Sequence, residues 1–588
     1  MTANNFTETG AALLAAGRLE EALAVFLQLT QTQPQGAGGF WYLAQVYRRM
    51  GWTELAIEAE LQALTLAPDR FPVAAHTQWG DWLQARQRHR EAQACYAQAL
   101  TLVPEDGSAR RGWVQATLAL GETAAVQAQL TDWLAADRDL AEGADWNRLG
   151  VALGEQGDRQ GAQECFYQAI SLQPNLANAH ANLGHTLVQE GRYREALTAF
   201  EEALTIDPNH YESYYNLGTV LAELDEPETA TDFFTQALRL QPDFVAAHYN
   251  QALCAIEQNR WPEAQKHLQR AIALAPQSGE LHWNAGYVEL ALGNWEKGWP
   301  QYMWHRPSHS GFAPPRPYAK PLWQGEDIAQ QRLLVYDDRG LGDWVQWARI
   351  VPLLAQRCRE VVLAAPPTLA PLWPETLGGR VTTPENLGDW DVHCPLFHGL
   401  YYLGIAPETV PAPIPYLRVP PEVPDPFPPE LWDGDRPRIG VVWASGRRSD
   451  RRGLWRSYRQ RSCPIAALEP LWRVRPAHFY SLQVGPDAQD HPVLRNLAPH
   501  IHSFVDTAWA IAHLDLVISV DTAVAHVAGA LGKPVWILLP FAADWRWGCD
   551  RLDTPWYPTA RLFRQPARGD WAGVVAQVAS ALQTWTPE

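Results

Sequence analysis

The residues best suited to chemistry lie in a turn in the last quarter of the chain. Residues 521–541 read DTAVAHVAGALGKPVWILLPF and follow the apolar run DLVISV at 515–520, which predicts a strand, a sharp turn, a helix and another strand. Asp521 and Thr522 would stand at the helix start, where unpaired backbone N–H groups and the helix dipole favour an anion. His526 follows Thr522 by one helical turn. Because α/β sheets bind nucleotide ligands where a strand feeds a helix, we expect a diphosphate at this turn.

The same side chains have a structural alternative. An aspartate at a helix start is a common cap, and a histidine on an apolar helix can simply be part of the core. Either explanation covers Asp521 or His526 singly. Neither explains their joint spacing after a strand as well as ligand binding does, so we favour a ligand site.

A second glycine-rich turn carries a carboxylate. Gly340, Gly342 and Asp343 lie where the apolar run RLLVY at 332–336 gives way to a helical pattern. Glycines allow a backbone to approach a ligand closely. An aspartate in a cleft can act as general base on a sugar, serine or threonine hydroxyl. The alternative is a helix cap, for which aspartate is equally well suited, and the sequence leaves both roles open.

Seven arginines are concentrated in the segment GRRSDRRGLWRSYRQRS at 446–462, directly after the strand-like run RIGVVW at 438–443. Guanidinium forks match phosphate oxygens and offset the charge of a departing diphosphate. We expect one or two of these arginines to touch such a group and the others to be solvated. Nucleic-acid binding is the alternative, but 47 basic against 65 acidic residues give a net charge of −18, which opposes it.

Length and composition indicate a folded protein of about three domains. A chain of 588 residues is too long for one core, and 47 % apolar with 19 % charged residues is typical of globular proteins. The seven cysteines lie far apart without a CxxC pair, which favours reduced thiols over a zinc site or a disulfide framework. The sequence shows neither a signal-peptide pattern nor an apolar run of 18 residues. We therefore expect a cytoplasmic protein without a transmembrane segment or a metal.

The first half of the sequence repeats with a period of 34 residues. Prolines recur mostly at this spacing, small residues recur twelve and five positions before them, and glycines fall between the two halves of each unit. The prolines are Pro34, Pro68, Pro104, Pro174, Pro208, Pro242 and Pro276. Paired helices with small residues at their crossings resemble the tetratricopeptide repeat. The pattern predicts an α-helical solenoid over about 3–305, with eight full repeats, a partial ninth and an irregular unit at 107–142.

A row of asparagines accompanies the repeats. Its members stand 34 residues apart, on the first helix of each pair: Asn182, Asn216, Asn250 and Asn284. Carboxamides can donate to and accept from the backbone of an extended peptide without reading its side chains. A similar ladder is known in the repeat domain of O-linked N-acetylglucosamine transferase, which this half resembles. The row predicts a bound protein or peptide, and helix packing is the alternative.

The second half alternates strand and helix patterns, which predicts parallel sheets covered by helices on both faces. Proline-rich links divide it into two doubly wound lobes with a cleft between them, the plan of GT-B glycosyltransferases. The predicted domains are a repeat solenoid, an aromatic-rich linker, an acceptor-side Rossmann-like lobe, an inter-lobe linker and a donor-side Rossmann-like lobe. Their predicted bounds are 1–305, 306–330, 331–420, 421–437 and 438–588.

Two segments of the second half resemble a known family. DDRGLGDWVQWARIVPLL, which begins at Asp337, and SVDTAVAHVAGALGKPVWILLPFAADWRWGCD, which begins at Ser519, are similar to bacterial tetratricopeptide proteins with a heptosyltransferase-like domain. The similarity runs from about Pro321 to Trp571. It implies an inverting glycosyltransferase that needs no metal and no cofactor and that takes a nucleotide-diphosphate sugar as its substrate.

The resemblance also implies roles for single residues. Asp343 would be the general base on the acceptor, and Asp521 would contact the donor sugar. Thr522 and the backbone N–H of Ala523 would contact the phosphates, and His526 would line the donor site. Arg461, which stands before the Ser-Cys-Pro that replaces the family's Ser-Ile-Pro, would neutralise the diphosphate.

The aromatic segment ADWRWGCDRLDTPWYP at 543–558 looks like the family's Asp-Trp-Arg-Trp segment. Trp545 and Trp547 could stack on a base or shape the cleft, and Arg546 could pair with a carboxylate or a phosphate. Gly340 and Gly342 would line the same cleft. The alternative is that these aromatics pack the loop onto its lobe.

The sequence departs from the family at Asp337-Asp338-Arg339, where related repeat proteins read a small residue, Glu and Gln. This difference supports a second hypothesis, a catalytically inactive repeat scaffold for protein–protein interaction. A nicotinamide-dependent oxidoreductase is disfavoured because neither lobe has a GxGxxG turn with an acidic residue about twenty positions on. The leading hypothesis is a glycosyltransferase whose repeats recruit a protein or peptide acceptor.

Overall fold

The computed structural model describes residues 3–136, 142–304, 318–336, 340–411, 413–432, 434–446 and 461–587. These residues form two compact units, Met1–Val220 and Leu221–Glu588. The departure at Asp337–Arg339, the arginines at 447–460 and most of the predicted linker after the repeats lie outside the described residues.

Eighteen helices account for the repeat region, and they follow one another as nine pairs. The pairs are α1 (Ala3–Ala15) and α2 (Leu19–Thr32), α3 (Ala37–Arg49) and α4 (Thr53–Leu66), α5 (Val73–Ala85) and α6 (His89–Leu102), α7 (Gly107–Ala119) and α8 (Thr123–Ala136), α9 (Gly143–Glu155) and α10 (Arg159–Leu172), α11 (Ala177–Gln189) and α12 (Tyr193–Ile206), α13 (Tyr211–Glu223) and α14 (Pro227–Leu240), α15 (Val245–Glu257) and α16 (Trp261–Leu274), α17 (Gly279–Ala291) and α18 (Trp295–Tyr302). The predicted helical repeats are therefore confirmed, and the ninth is shortened at its second helix.

Small residues of the repeat pattern lie where the helices of a pair cross. The alanines twelve positions before each proline are at most 1 % exposed, from Ala22 to Ala264. Glycine on the first helix faces an aromatic ring of the second. A Cβ on Gly184 would stand 2.7 Å from Phe200, and one on Gly150 would stand 2.6 Å from Phe166. The pattern thus encodes close helix approach, as predicted.

Turns between paired helices need a left-handed residue. Gly17, Gly51, Gly157, Gly191 and Gly293 occupy this position with φ between +74° and +88°. Glycine adopts this conformation without the steric cost that a Cβ adds. Three turns instead carry a glutamine, an aspartate or an asparagine at positive φ: Gln87, Asp225 and Asn259.

Ten strands form two parallel sheets in the second compact unit. The four-stranded sheet has the order β3-β2-β1-β4, and the six-stranded sheet has the order β10-β9-β8-β5-β6-β7. The strands are β1 (Ile328–Tyr336), β2 (Cys358–Ala364), β3 (Arg380–Thr382), β4 (Val392–Pro395), β5 (Arg438–Val442), β6 (His478–Ser481), β7 (Leu494–Asn496), β8 (Leu516–Val520), β9 (Val535–Leu539) and β10 (Ala560–Arg564). All described pairings within both sheets are parallel, which confirms the predicted strand direction.

Among the described residues, six helices described over their full length flank or connect these strands. They are α19 (Leu341–Trp347), α20 (Val351–Ala355), α21 (Leu396–Tyr402), α22 (Phe504–Ala512), α23 (Ala523–Ala530) and α24 (Trp571–Thr584). The helical pattern that follows the glycine-rich turn at 340–343 is divided into α19, a 3-10 turn at Ala348–Ile350 and α20. Pro352 lacks the N–H that a continuous helix would need at this point, so the ladder is interrupted.

Aromatic side chains of the last repeat pack on the loop after β9. Trp545 lies with its ring centroid 5.7 Å from that of Trp295 and 5.5 Å from that of Trp299. Trp299 also donates its indole N–H to the Ile405 carbonyl at 2.8 Å. One apolar core therefore runs from α15–α18 into both sheets. The domain bounds given above remain predictions, and the compact unit that begins at Leu221 contains the last repeats together with the sheets.

Candidate functional site

Two helix starts from the two sheets lie against each other. Helix α19 begins after β1 and helix α23 begins after β8, both at the carboxyl ends of their strands. A Cβ on Gly342 would stand 2.8 Å from His526 Cδ2 and 3.5 Å from Ala523 Cα. The two turns in which the sequence predicted catalytic and ligand-binding residues are thus brought together, although about 180 residues of the chain separate them. Gly342 is the point of contact.

Asp343 stands at the start of α19 and serves there as a cap. Its Oδ2 accepts from the Gly340 N–H at 3.2 Å. Its Oδ1 is ion-paired with Arg546 Nη1 at 2.7 Å, and its side chain is 17 % exposed. One oxygen of Asp343 therefore caps the helix, the other is paired with the loop after β9, and the general-base role stays a prediction.

Arg546 is the most densely paired cation of this region. Besides Asp343, its Nε donates to Asp544 Oδ1 at 2.9 Å and its Nη1 donates to Gln346 Oε1 at 3.0 Å. Burial alone would lower the pKa of Arg546, but the carboxylates of Asp544, Asp343 and Asp521 raise it above its usual value. The guanidinium remains charged and pairs with two acids of the site, Asp343 and Asp544.

His526 is buried and neutral. Desolvation, reinforced by the charge of Arg546, lowers the pKa of His526 to about 3. Its Nδ1 lies 2.8 Å from the Tyr557 hydroxyl, and its ring stacks on that of Trp547 with centroids 5.4 Å apart. Its Nε2 lies 3.8 Å from Asp521 Oδ1. His526 therefore presents an uncharged imidazole beside the carboxylate of Asp521.

The remaining donor-side residues surround the start of α23. Asp521 is buried, and Arg461 Nη1 approaches its Oδ2 to 4.0 Å with 39 % of the arginine side chain exposed. The Thr522 hydroxyl lies 3.0 Å from Ser519 Oγ. Ala523 is the first helical residue, and the first N–H groups of a helix have no partner within it. The structure brings all of these predicted residues to one place.

Two tyrosines that sequence reasoning missed help to join the sheets. Tyr416 donates to the Val345 carbonyl on α19 at 2.8 Å. Tyr416 is hydrogen-bonded to Tyr557, whose hydroxyl meets His526 on α23. Isolated tyrosines in a proline-rich link and in a loop carry no spacing signal. Gln346 and Asp544 were missed as well, although both belong to segments that the sequence singled out.

Trp545 is 2 % exposed and packs against the aromatic rings of the last repeat and of Trp556. Its remaining surface lines a cavity of about 350 Å³, which Trp295 and Arg546 also line. Trp547 is buried beneath His526. Packing therefore covers most of both rings, and a base-stacking role stays a prediction. Arg546 between them points the other way, toward Asp343.

Some amides of the asparagine row already donate hydrogen bonds to other groups of the protein. In the first compact unit, Asn182 Nδ2 donates to Asn147 Oδ1 at 2.9 Å, while Asn216 is half-buried. Asn147 extends the row but stands 35 rather than 34 residues before Asn182, which hid it from the period. In the second unit, Asn250 is half-buried and Asn284 is buried.

Asn284 takes the packing role. Its Nδ2 donates to the Tyr249 hydroxyl at 3.2 Å and to the Glu280 carbonyl at 3.0 Å. A peptide could use this amide only by displacing those acceptors. Asn182 and Asn284 thus both donate to groups of the protein itself, and the peptide-binding ladder stays a prediction.

A cavity of about 380 Å³ adjoins the row at Asn147. Helices α7 and α9 form its walls. The lining residues are Gln115, Leu118, Ala119, Asn147, Arg148, Val151, Ala152 and Glu155. Arg148 is ion-paired with the buried Asp145, which leaves a mixed apolar and amide surface. This volume accommodates a peptide side chain.

Two kinds of feature, a metal-ligand cluster and a membrane-spanning helix, are absent from the described residues. Among them, no group of three or more His, Cys, Asp or Glu side chains is arranged to hold a metal ion. Within the same residues, no helix is both long enough and apolar enough to cross a bilayer.

The close contact at Gly342 gives a first testable expectation. Gly342→Ala is expected to destabilise the second compact unit by about 1–3 kcal/mol, because the added methyl group overlaps His526. The shift in the thermal unfolding transition measures this. Gly38→Ala is the matched control, since a Cβ at this helical glycine meets nothing within 4 Å. If both variants gain stability alike, the two helix starts do not approach as described.

Family comparisons bear on the helical half. One tetratricopeptide-repeat family model matches residues 140–209 and 175–243, and a second matches residues 7–71, 215–278 and 249–298. A curated relative, Protein FlbA of Caulobacter vibrioides, is 27 % identical over an alignment of 333 residues that covers 50 % of this chain and 54 % of FlbA. The chain thus spans about half the length of that relative.

Several solved structures match part of the chain at low similarity. YrrB, described as a TPR protein with an unusual peptide-binding site, is 22 % identical, with 31 % of this chain and 93 % of YrrB covered and a TM-score of 0.27. MamA is 21 % identical, with coverages of 26 % and 91 % and a TM-score of 0.25. Part of a repeat protein from Cytophaga hutchinsonii is 14 % identical, with coverages of 40 % and 96 % and a TM-score of 0.33. From the family models, together with the paired helices, we conclude that the chain carries tetratricopeptide repeats, the kind of repeat that binds proteins or peptides.

Proposed function

We propose that the second half of this chain is a glycosyltransferase of the GT-B plan. It would move a sugar from a nucleotide-diphosphate donor to a protein or peptide held by the repeats. The observation that carries the proposal is the meeting of two helix starts, with Asp343 on one and Asp521, Thr522 and Ala523 on the other. A transferase needs a general base and an anion-binding group close to each other, on opposite walls of one cleft.

Strand order supports the proposal. Counted from its own first strand, the six-stranded sheet reads 6-5-4-1-2-3, and the four-stranded sheet reads 3-2-1-4. Doubly wound sheets reverse direction beside their first strand and bind ligands outside the carboxyl ends of the strands there. Helix α19 follows the first strand of one sheet, and α23 follows a strand that neighbours the first strand of the other. Both candidate turns therefore stand beside a switch point.

Each side chain of the candidate site has one role in the proposed transfer reaction. Asp343 would take the proton from the acceptor hydroxyl while the acceptor oxygen forms a bond to the anomeric carbon. The bond from that carbon to the phosphate oxygen would break, and the nucleoside diphosphate would leave with the electron pair. Attack from the side opposite the leaving group inverts the anomeric centre. The first N–H groups of α23 and the Arg461 guanidinium would stabilise the departing charge.

Local charge sets a requirement on the donor site. Three carboxylates, those of Asp343, Asp521 and Asp544, face the guanidinium groups of Arg546 and Arg461. An anionic donor needs further positive charge to bind next to this acidic group. The sequence provides six more arginines between 447 and 460, directly after β5. These six lie outside the described residues, and we expect one or two of the seven arginines of the segment, Arg461 included, to touch the diphosphate.

The repeats would supply the acceptor. The hydrogen-bonded pair Asn147 and Asn182 and the adjoining cavity between α7 and α9 suit an extended backbone with one side chain inserted. Tetratricopeptide repeats bind proteins or peptides, which supports a polypeptide acceptor. Amides that read only backbone would allow many acceptor sequences.

Donor turnover by the purified chain tests the proposal. A panel of nucleotide-diphosphate sugars is incubated with the protein, and released nucleoside diphosphate is measured together with calorimetric binding of the same diphosphates. We expect one base to bind and one sugar to turn over. Arg461→Gln is expected to weaken diphosphate binding about tenfold, in line with the loss of one charged contact.

The matched control is Arg473→Gln, because that side chain is 84 % exposed and pairs only loosely with Glu469. Its diphosphate affinity should equal that of the unchanged chain. Absence of both binding and turnover across the panel would remove the transferase proposal.

A second function is favoured by the same charge arrangement. Asp343 is already paired with Arg546, and carboxylates outnumber arginines around it. A scaffold that has lost transfer could keep these contacts for stability alone. In that case the repeats would still bind their peptide, while the donor panel would give neither heat nor product.

A further inference from the structure

Arg546 connects the two walls of the candidate cleft. It belongs to the loop after β9 of the six-stranded sheet, yet its guanidinium reaches Asp343 and Gln346 on α19, which follows β1 of the other sheet. Its side chain is 13 % exposed. Ionic hydrogen bonds with so little water around them are stronger and better directed than surface pairs.

The contacts fix the guanidinium from several sides. Nε is held by Asp544 Oδ1 at 2.9 Å, and Nη1 is held by Gln346 Oε1 at 3.0 Å. The Asp544 carboxylate also accepts from the Arg546 backbone N–H at 3.1 Å. These contacts therefore hold the Arg546 guanidinium in one orientation. It pairs with Asp343 Oδ1, whereas the Gly340 N–H donates to Oδ2.

The last repeat packs against the loop that carries Arg546. Trp545, the preceding residue, packs between Trp295 and Trp299 of α18. Cys549, three residues further on, donates its thiol to the Ala291 carbonyl at the end of α17 at 3.0 Å. The loop that carries Arg546 is thus held at both ends by repeat helices of the same compact unit.

We propose that Arg546 is a positioning residue for Asp343. It orients the carboxylate at the start of α19, and the last repeat sets the place of Arg546. This inference rests on the proposed function, because it assigns a partner to the proposed base. Arg546 itself need not touch the donor or the acceptor. A shift of about 1 Å in a reacting group costs about 100-fold in rate, so a positioning residue has a measurable effect.

A double-mutant cycle on donor turnover tests it. Arg546→Gln is expected to lower kcat about 10- to 100-fold while KM for the donor stays within about threefold. The same change made in the Asp343→Asn chain is expected to lower kcat by less than about twofold, because residues that act through each other do not lose rate independently. Arg546→Lys keeps the charge without the fork and should recover part of the loss.

Arg568→Gln is the matched control. Arg568 also joins the sheet region to the repeats, through Asp225 and Glu257, but it lies outside the candidate site. Its kcat should remain unchanged. Circular dichroism of every variant shows whether the fold is kept, and Arg546→Lys serves where Arg546→Gln does not fold.

Two results would overturn the inference in different ways. Equal losses from Arg546→Gln with and without Asp343 would show that Arg546 acts independently, and the proposed function would stand without this role. An unchanged chain that turns over no donor would remove the proposed function, and the positioning role would fall with it.

Discussion

The Asp343→Asn variant is expected to lose about 10²- to 10⁴-fold in kcat, the usual contribution of a general base. Asparagine has the same shape, and its carbonyl oxygen can still accept from a donor at the start of α19. It cannot take up a proton, so the loss falls on the chemical step. Steady-state turnover and calorimetry together should show a low kcat and a nearly unchanged affinity for the nucleoside diphosphate.

Asp506→Asn is the matched control for that experiment. Asp506 occupies the third position of α22 and accepts from the Ser503 N–H at 2.8 Å, as Asp343 does from Gly340 on α19. It therefore shares the capping role and lacks the proposed catalytic one. If Asp343→Asn keeps kcat within a few fold, as Asp506→Asn should, the carboxylate is a cap and the base assignment is wrong.

A chain cut at the predicted boundary, residues 306–588, is expected not to fold. The cut removes α17 and α18 and uncovers Trp545, Trp556 and Phe397, which pack against their aromatic rings. Burial of a large apolar side chain contributes about 1.5–3 kcal/mol, so three of them approach the 5–15 kcal/mol stability of a typical domain. Size-exclusion chromatography should show aggregates, and circular dichroism should show no cooperative melting.

The chain 221–588 is the companion to that experiment. It keeps the whole second compact unit, including the helices on which Trp545 packs. We expect it to be monodisperse and to melt cooperatively. Cooperative melting of 306–588 would mean that the last repeats are not needed by the sheets, and the sequence-derived boundary would be right.

The repeats could be predicted because their physics is local and periodic. Small residues such as Ala22, Ala196 and Gly184 occupy positions that recur in every repeat, because each helix pair makes the same crossing. Longer strands such as β8 and β9 were also predicted from their apolar runs. Strands β3 and β7 have three residues each and leave no periodic trace. Strand β10 was missed because Arg561 and Arg564 interrupt its apolar residues.

The candidate site was predicted residue by residue but not as a network. Helix-start chemistry marked Asp343, Asp521 and Thr522, because capping and anion binding depend on neighbours in sequence. The pairing of Arg546 with Asp343 depends on how two sheets pack, which no local pattern encodes. The burial of Trp545 was hidden for the same reason, among 28 tryptophans of similar appearance.

The shared core of α17, α18 and the sheets limits how such a protein can diversify. Copies of the 34-residue unit can be gained or lost ahead of Leu221 without disturbing the wall that carries Trp295 and Trp299. Duplication inside α17–α18 would disrupt the packing of the Arg546 loop on Trp295 and Trp299. We therefore expect length variation among relatives to accumulate ahead of Leu221, while the number of helices that pack on the sheets stays constant.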